Sequence, residues 1–223
     1  MVTEPDILGS LKRKRDRRGD RELLDEILDS TWVGTLSTVV DGFPWSVPMI
    51  FARVGDDVLV HGSTGAGALR HVAAGAPVTL TVTLVDGLVV ADTLMDHSAN
   101  YRSAVLRGHL TACDDPAAAL IALTDAILPG RSAELPPPTA KDLAATAILR
   151  LPIVDDHWIA KARRGGPSSD SAEWTGVVDV VSGFGQARRY TGGETPASVR
   201  RIASGPVDPD AGPLAFFRDA GAT

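Results

Sequence analysis

Hydrophobic positions along the chain change period several times, and each change predicts a different element. In "DRELLDEILDST", residues 20–31, Leu23, Leu24, Ile27 and Leu28 recur at the spacing of one helical face. Asp20 stands where a side-chain oxygen can accept from the first free N–H groups, so the helix is expected to start there. From residue 32 the period shortens. "WVGTLSTVV" (32–40), "FPWSVPMIFARV" (43–54) and "DVLVHG" (57–62) are apolar, β-branched runs separated by "DG" and "GDD". They predict an antiparallel meander, because Asp41-Gly42 suits a tight hairpin turn with positive φ. Pro44 and Pro48 cannot donate to a ladder, which predicts an edge or bulged strand.

The pattern continues with a short helix over 66–74 and a second hairpin over 76–94, "APVTLTVTLVDGLVVADTL", turning at Asp86-Gly87. A long strand follows in "NYRSAVLRGHLTAC" (100–113). "DPAAALIALTDAIL" (115–128) reads as a helix, with Asp115 as its cap and Pro116 in its first turn. Residues 129–139 read as loop and "KDLAATA" as helical. "AILRLPIV", "DHWIAKAR" and "EWTGVVDVV" are strand-like. Strands joined by short turns, with helices inserted late, predict a mainly β (α+β) fold: a small barrel with peripheral helices. The boundaries expected are a polar basic N-terminal arm over 1–20, a barrel domain over 21–182 and a C-terminal extension over 183–223. That last part, rich in Gly, Pro, Arg and Asp, is expected to be partly disordered.

Composition narrows the class. Of 223 residues 44% are hydrophobic, enough for a real core, and no apolar run approaches the ~20 residues of a membrane span. Without a signal-peptide pattern, the expected location is cytoplasmic. A single cysteine, Cys113, excludes an internal disulfide and a cysteine-built zinc site. No HExxH or CxxC motif occurs, so no metal site is expected. Residues 11–21, "LKRKRDRRGDR", carry a local +5, so the remainder of a chain of net charge −6 carries −11. That acidic remainder repels a phosphate backbone, and nucleic acid is not the expected partner.

The candidate chemistry lies in "VLVHGSTGAGALRH", residues 58–71. Glycines and hydroxyls between a strand and a helix, followed by Arg70, are suited to a phosphate. Two nucleotide signatures fail here. Gly62 and Gly67 have P-loop spacing, but Ala68-Leu69 stands where Lys and Ser/Thr are required. A dinucleotide fingerprint lacks its third glycine. The loop equipment, with no evident magnesium ligand, suits a single phosphate held by Ser63, Thr64, Arg70 and the amides near Ala66. No GxSxG elbow supports a serine hydrolase.

The ordered set "GTLSTVVDGFPWSVPMIF", "VLVHGSTGAGALRH", "VTLTVTLVDGLVV", "SANYRSAVLRGHL", "WIAKARRGGP" and "EWTGVVDV" resembles the pyridoxamine 5′-phosphate oxidase-like flavoproteins. Within them it is most similar to the branch of the nitroimidazole-resistance proteins. The resemblance spans residues 20–182 and implies an FMN-binding split barrel that forms a homodimer with FMN between subunits. It implies that His61, Gly62, Ser63 and Arg70 face the FMN phosphate, with Tyr101, Arg102 and Ser103 beside it. Pro48, Met49 and Ile50 would run along the flavin ring, and Trp174 would approach the cofactor region. His61 matches a histidine implicated in substrate chemistry. The departures are "GALRH", where many relatives have Gly-His-Lys or Gly-Arg-Lys, and "VVDV" in place of a "PL" ending. The expected function is an FMN-dependent oxidoreductase of a small molecule, with NAD(P)H as a candidate donor. Its rival is a non-catalytic flavin- or haem-binding protein of the same fold.

Overall fold

The computed structural model describes residues 15–65, 67–168, 172–190 and 192–204. The basic cluster before Arg15 and the tail after Ser204 lie outside the described residues. The leucine–isoleucine face after Asp20 forms α1 (Arg21–Asp29), whose Leu23 N–H donates to Asp20 Oδ1 at 3.1 Å. Four further helices are α2 (Gly67–Ala73), α3 (Pro116–Ile127), α4 (Ala140–Ala145) and α5 (Ala197–Ser204). Asp115 caps α3 as expected, accepting from the Ala118 N–H at 3.0 Å, with Pro116 in the first turn. No described helix is long and apolar enough to cross a membrane.

Among the described residues ten strands pair antiparallel in one sheet. In chain order they are β1 (Arg18–Gly19), β2 (Val33–Val40), β3 (Phe43–Val54), β4 (Asp57–Ser63) and β5 (Pro77–Val90), then β6 (Ser98–His109), β7 (Thr111–Ala112), β8 (Thr146–Pro152), β9 (Trp158–Arg163) and β10 (Gly176–Asp179). Their spatial order is β1-β9-β6-β5-β2-β3-β4-β8-β7, with β10 added to β5. This antiparallel sheet with few helices is the split-barrel fold.

Two stretches join the halves of the barrel. Phe43–Ile50 of β3 pair with β2, whereas Phe51–Val54 pair with β4. Similarly, β6 lies between β5 and β9, and the chain then enters β7, which pairs with β8. Closure is tight where these meet: a methyl on Gly108 would lie 2.9 Å from Leu151 Cδ1. The interior holds Leu36, Phe51, Val60, Leu80 and Leu106 from the strands, Leu24, Ile27 and Leu28 from α1, and Leu69 and Val72 from α2.

Asp41 and Gly42 form the β2–β3 turn with φ of 52° and 81°, the positive pair that the dipeptide predicts. The expected turn at Asp86-Gly87 is a correction. Strand β5 runs through it, and the register slips by one residue between Val85 and Gly87. This bulge turns Asp86 toward Arg102, and glycine at 87 makes room for β10, since a Cβ there would lie 2.9 Å from Val177 Cγ1. The boundaries differ as well. Arg18 and Gly19, expected in the arm, pair with Lys161 and Ala160 of β9. In the C-terminal extension α5 is ordered, and its fully buried Ser198 donates from N and Oγ to Glu134.

Candidate functional site

The site is built on the end of β4. His61, Gly62 and Ser63 pair with Ile148, Ala147 and Thr146 of β8. Beyond them the Thr64 N–H and hydroxyl both donate to the Ala145 carbonyl, at 3.1 and 3.2 Å. The Gly65 N–H donates to Ser63 Oγ at 3.2 Å. Thr64 thus anchors the loop rather than offering its hydroxyl outward. Ser63 Oγ accepts from Gly65 and keeps its own proton to donate.

Helix α2 begins at Gly67 and has seven residues, too few turns for its dipole to dominate. Its anchoring is apolar. Leu69 and Val72 are buried, and a methyl on Gly62 would come within 3.0 Å of Leu69 Cδ2, so glycine lets the helix close on the strand. Anchoring that face leaves Arg70 exposed, with no hydrogen bond or ion pair to a described residue. His71 is tied instead, its Nε2 lying 2.9 Å from the Val39 carbonyl oxygen.

Strand alternation separates the remaining candidates. Phe51 and Val60 are paired and face the core, so Ile50 and His61 face outward. Leu36 and Leu80 are paired and buried, which turns Thr35, Ser37, Thr79 and Thr81 outward. Ala104 and Leu106 face inward, which turns Tyr101, Ser103 and Val105 outward. Pro48, Ile50, His61, Ser63, Tyr101 and Ser103 therefore share the outer face. Met49 packs against the core, and Gly62 and Arg102 also point inward.

Around Ala52 of β3 and Leu59 of β4 the outer face is covered, because Leu123 of α3 packs on both. Over β2, β5 and β6 no described helix covers it, and Val33, Val39 and Val85 are exposed there, with Ile50 of β3 exposed beside Val33. The prolines fit this arrangement. The Phe51 N–H donates to Trp32 O on the β2 side, so alternation points positions 44, 46 and 48 toward the side with no partner strand. Pro44 and Pro48 forfeit no ladder bond, and the backbone groups of Ser46 and the Pro48 carbonyl lie along an open edge.

Arg102 is engaged within the chain. Its Nη2 and Nε donate to Asp86 at 2.7 and 3.1 Å, its Nη1 to Glu26 at 2.9 Å. Hydrogen bonding to Asp86 raises the guanidinium pKa against the lowering effect of burial. The structure thus uses this arginine to latch α1 to β5 and β6, not to face the loop. Trp174 lies just before β10, 68% exposed, its ring against Gly176. His61 carries a different signal: its Nδ1 is shielded from solvent and has no hydrogen-bond partner among the described residues. A buried polar atom left unsatisfied costs about 1–3 kcal/mol, a deficit that a bound group able to reach Nδ1 would remove.

Comparison with known proteins gives a consistent picture. The model of a family described as pyridoxamine 5′-phosphate oxidase matches residues 20–157. The FAD and heme binding protein from Mycobacterium smegmatis is 40% identical, with 83% of this chain and 97% of that one covered and a TM-score of 0.79. The flavocytochrome Anf3 from Azotobacter vinelandii is 29% identical, covering 86% of this chain and 94% of its own, with a TM-score of 0.73. A candidate 5-nitroimidazole antibiotic resistance protein from Bacteroides thetaiotaomicron shares 19% identity over 64% of this chain and 84% of its own, with a TM-score of 0.52, a likeness of fold alone. No curated protein sequence matches the chain.

Proposed function

The chain belongs to the pyridoxamine 5′-phosphate oxidase family, and from that premise we propose that it is a flavin-dependent oxidoreductase of a small molecule. One observation carries the proposal: strand alternation puts Pro48, Ile50, His61, Ser63, Tyr101 and Ser103 all on the outer side of the sheet, whose part over β2, β5 and β6 no described helix covers. The residues fit a flavin nucleotide. Ser63 has a hydroxyl proton to give and Arg70 a guanidinium with no partner among the described residues, which together suit a phosphate. The open edge of β3 offers polar backbone groups to the rim of a heterocycle, and Val33 and Ile50 offer apolar contact.

The bound flavin would supply the electron-transfer chemistry that none of these side chains can perform. The chain's own part is positioning. Arg70 and Ser63 hold the phosphate, β3 orients the ring along its edge, and His61 Nδ1 is the atom placed to hold or move a proton. A second copy of the chain, seated on Val33 and Val85, would exclude water from that face and complete the cleft. The loop suits the single phosphate of FMN, while the similarity to a protein that binds FAD and haem supports FAD and adds haem to the reading. A nicotinamide donor remains part of the proposal.

The decisive experiment releases whatever the purified protein carries. Denaturation should yield a flavin whose mass tells FMN from FAD, and the native protein should bleach with NADH or NADPH. A colourless protein that takes up neither FMN nor FAD on reconstitution would refute the proposal. A flavin that no donor bleaches would leave a binding protein and remove the oxidoreductase.

A further inference from the structure

The haem in that reading needs a place and a ligand, and the uncovered face offers both at its far end. Down the strands from Ile50, a groove of about 580 Å³ opens between the β2–β3 hairpin, β5, β6 and the segment after β8. Its volume falls within the roughly 300–1,000 Å³ typical of cofactor sites. Val39, Pro44, Pro77 and Val154 give it apolar walls, and Arg107 and His109 stand at its side. From this geometry we propose that the groove binds haem, with His109 as an axial ligand and Arg107 facing a propionate. The assignment rests on the haem part of the proposed function.

The imidazoles are not equivalent. His71 Nε2 lies 2.9 Å from the Val39 carbonyl oxygen, and His97 Nδ1 lies 2.8 Å from the Thr93 carbonyl oxygen. His61 belongs to the phosphate loop on β4. Two imidazoles line the groove, those of His109 and His157; His109 is exposed, its side chain makes no hydrogen bond to a described residue, and it is the last residue of a twelve-residue strand. A ligand mounted on a strand end is held more rigidly than one on a loop. Its register partner is Pro77, which has no N–H to offer and presents an apolar ring to the groove. Arg107 lies two residues earlier on the same outward side, about 7 Å along the strand. An imidazole for the iron, a cation for a propionate and proline–valine walls for the macrocycle form the set that an iron porphyrin requires.

The test is a titration of hemin into the full chain, followed by its Soret band, beside His109→Ala, Thr79→Trp and His97→Ala. Thr79 lines the groove and faces outward opposite Arg107, so tryptophan there fills the space while the imidazole stays in the sequence. The expected result is a Soret band in the parent protein and affinity about tenfold weaker or worse in the first two variants. His109→Ala should also shift the band, and added imidazole should restore its position. His97→Ala should bind like the parent. Bound flavin and melting temperature should be unchanged in all three, which separates loss of the site from loss of the fold. Unaltered spectrum and affinity in both His109→Ala and Thr79→Trp would overturn the groove while leaving the haem reading intact. A parent protein that takes up no hemin would overturn both, leaving the flavin proposal to its own test.

Discussion

Replacing Arg102 with methionine separates a structural latch from a cofactor contact. The substitution keeps the volume and removes a guanidinium that donates to Asp86 at 2.7 Å and to Glu26 at 2.9 Å. Two carboxylates would be left facing each other's charge beside the core. Breaking a fully buried pair costs about 3–5 kcal/mol, whereas an exposed pair contributes about 0–1 kcal/mol. The Arg102 side chain is 11% exposed, but Asp86 and Glu26 are 30% and 29% exposed, so water screens the acidic partners. An intermediate loss of about 2–3 kcal/mol follows. For a domain of this length that lowers Tm by about 4–12 °C. Urea unfolding of Arg102→Met, Asp86→Asn and the double variant would measure it. The double variant should lose less than the sum, because the partners are coupled. Flavin affinity should follow only the folded fraction. A loss below about 0.5 kcal/mol, or a large loss of flavin affinity at unchanged stability, would refute the latch and return Arg102 to the cofactor.

The other predictions concern the loop, the bulge and the C-terminal helix. Arg70→Ala with Ser63→Ala should weaken flavin binding by about 10–100-fold at unchanged Tm, since each charge-assisted bond contributes about 1.5–3 kcal/mol; unchanged affinity in a flavin titration counts against the phosphate socket. Thr64→Val should do the reverse, lowering stability through Ala145 with little direct effect on affinity, as melting and titration would report. Gly87→Val should drive β10 from β5, because a Cβ there already lies 2.9 Å from Val177 Cγ1 and 3.3 Å from the Val178 carbonyl oxygen. Faster proteolysis after Trp174 is the readout, and unchanged cleavage would refute it. Hydrogen bonds from the Ser198 side chain and backbone hold the Glu134 carboxyl at about 2. A depressed carboxylate stabilises docking above the ordinary range near 4.5 and ceases to do so as pH falls toward 2. The Ser198 amide resonance should move over that window, and Glu134→Gln should abolish the dependence.

What was legible in the sequence was local chemistry. Asp20 and Asp115 could be read as caps, and Asp41-Gly42 as a turn, because each acts on backbone within three residues of itself. Asp86-Gly87 carries the same dipeptide and does something else. Its aspartate answers an arginine sixteen residues away, and its glycine answers a strand ninety residues on. No window of local pattern contains either partner. The division of β3 between β2 and β4 was equally hidden, although Pro44 and Pro48 signalled an unpaired edge before the neighbours were known. Glu26 gave no signal at all, since on the helix it is one more acid among several.

The same limit governs motifs transferred as continuous runs. Three consecutive residues of a strand cannot share one face, so "PMI" and "YRS" each divide two against one. Pro48 and Ile50 face outward and Met49 enters the core; Tyr101 and Ser103 face outward and Arg102 enters the latch. The period-2 rule was available from the sequence, but its phase was not, because "VPMIF" and "YRSAV" hold apolar or ambiguous residues on both sides. One buried pair per strand fixes the phase: Phe51 with Val60, Leu36 with Leu80, and Ala104 with Leu106 as neighbours on β6. Once fixed, it assigns every outward position at once, including Thr79, Arg107 and His109, which no motif had singled out. A face defined in this way extends from the loop after β4 to the groove beside His109, and a ligand at either end would meet residues chosen by alternation rather than by adjacency.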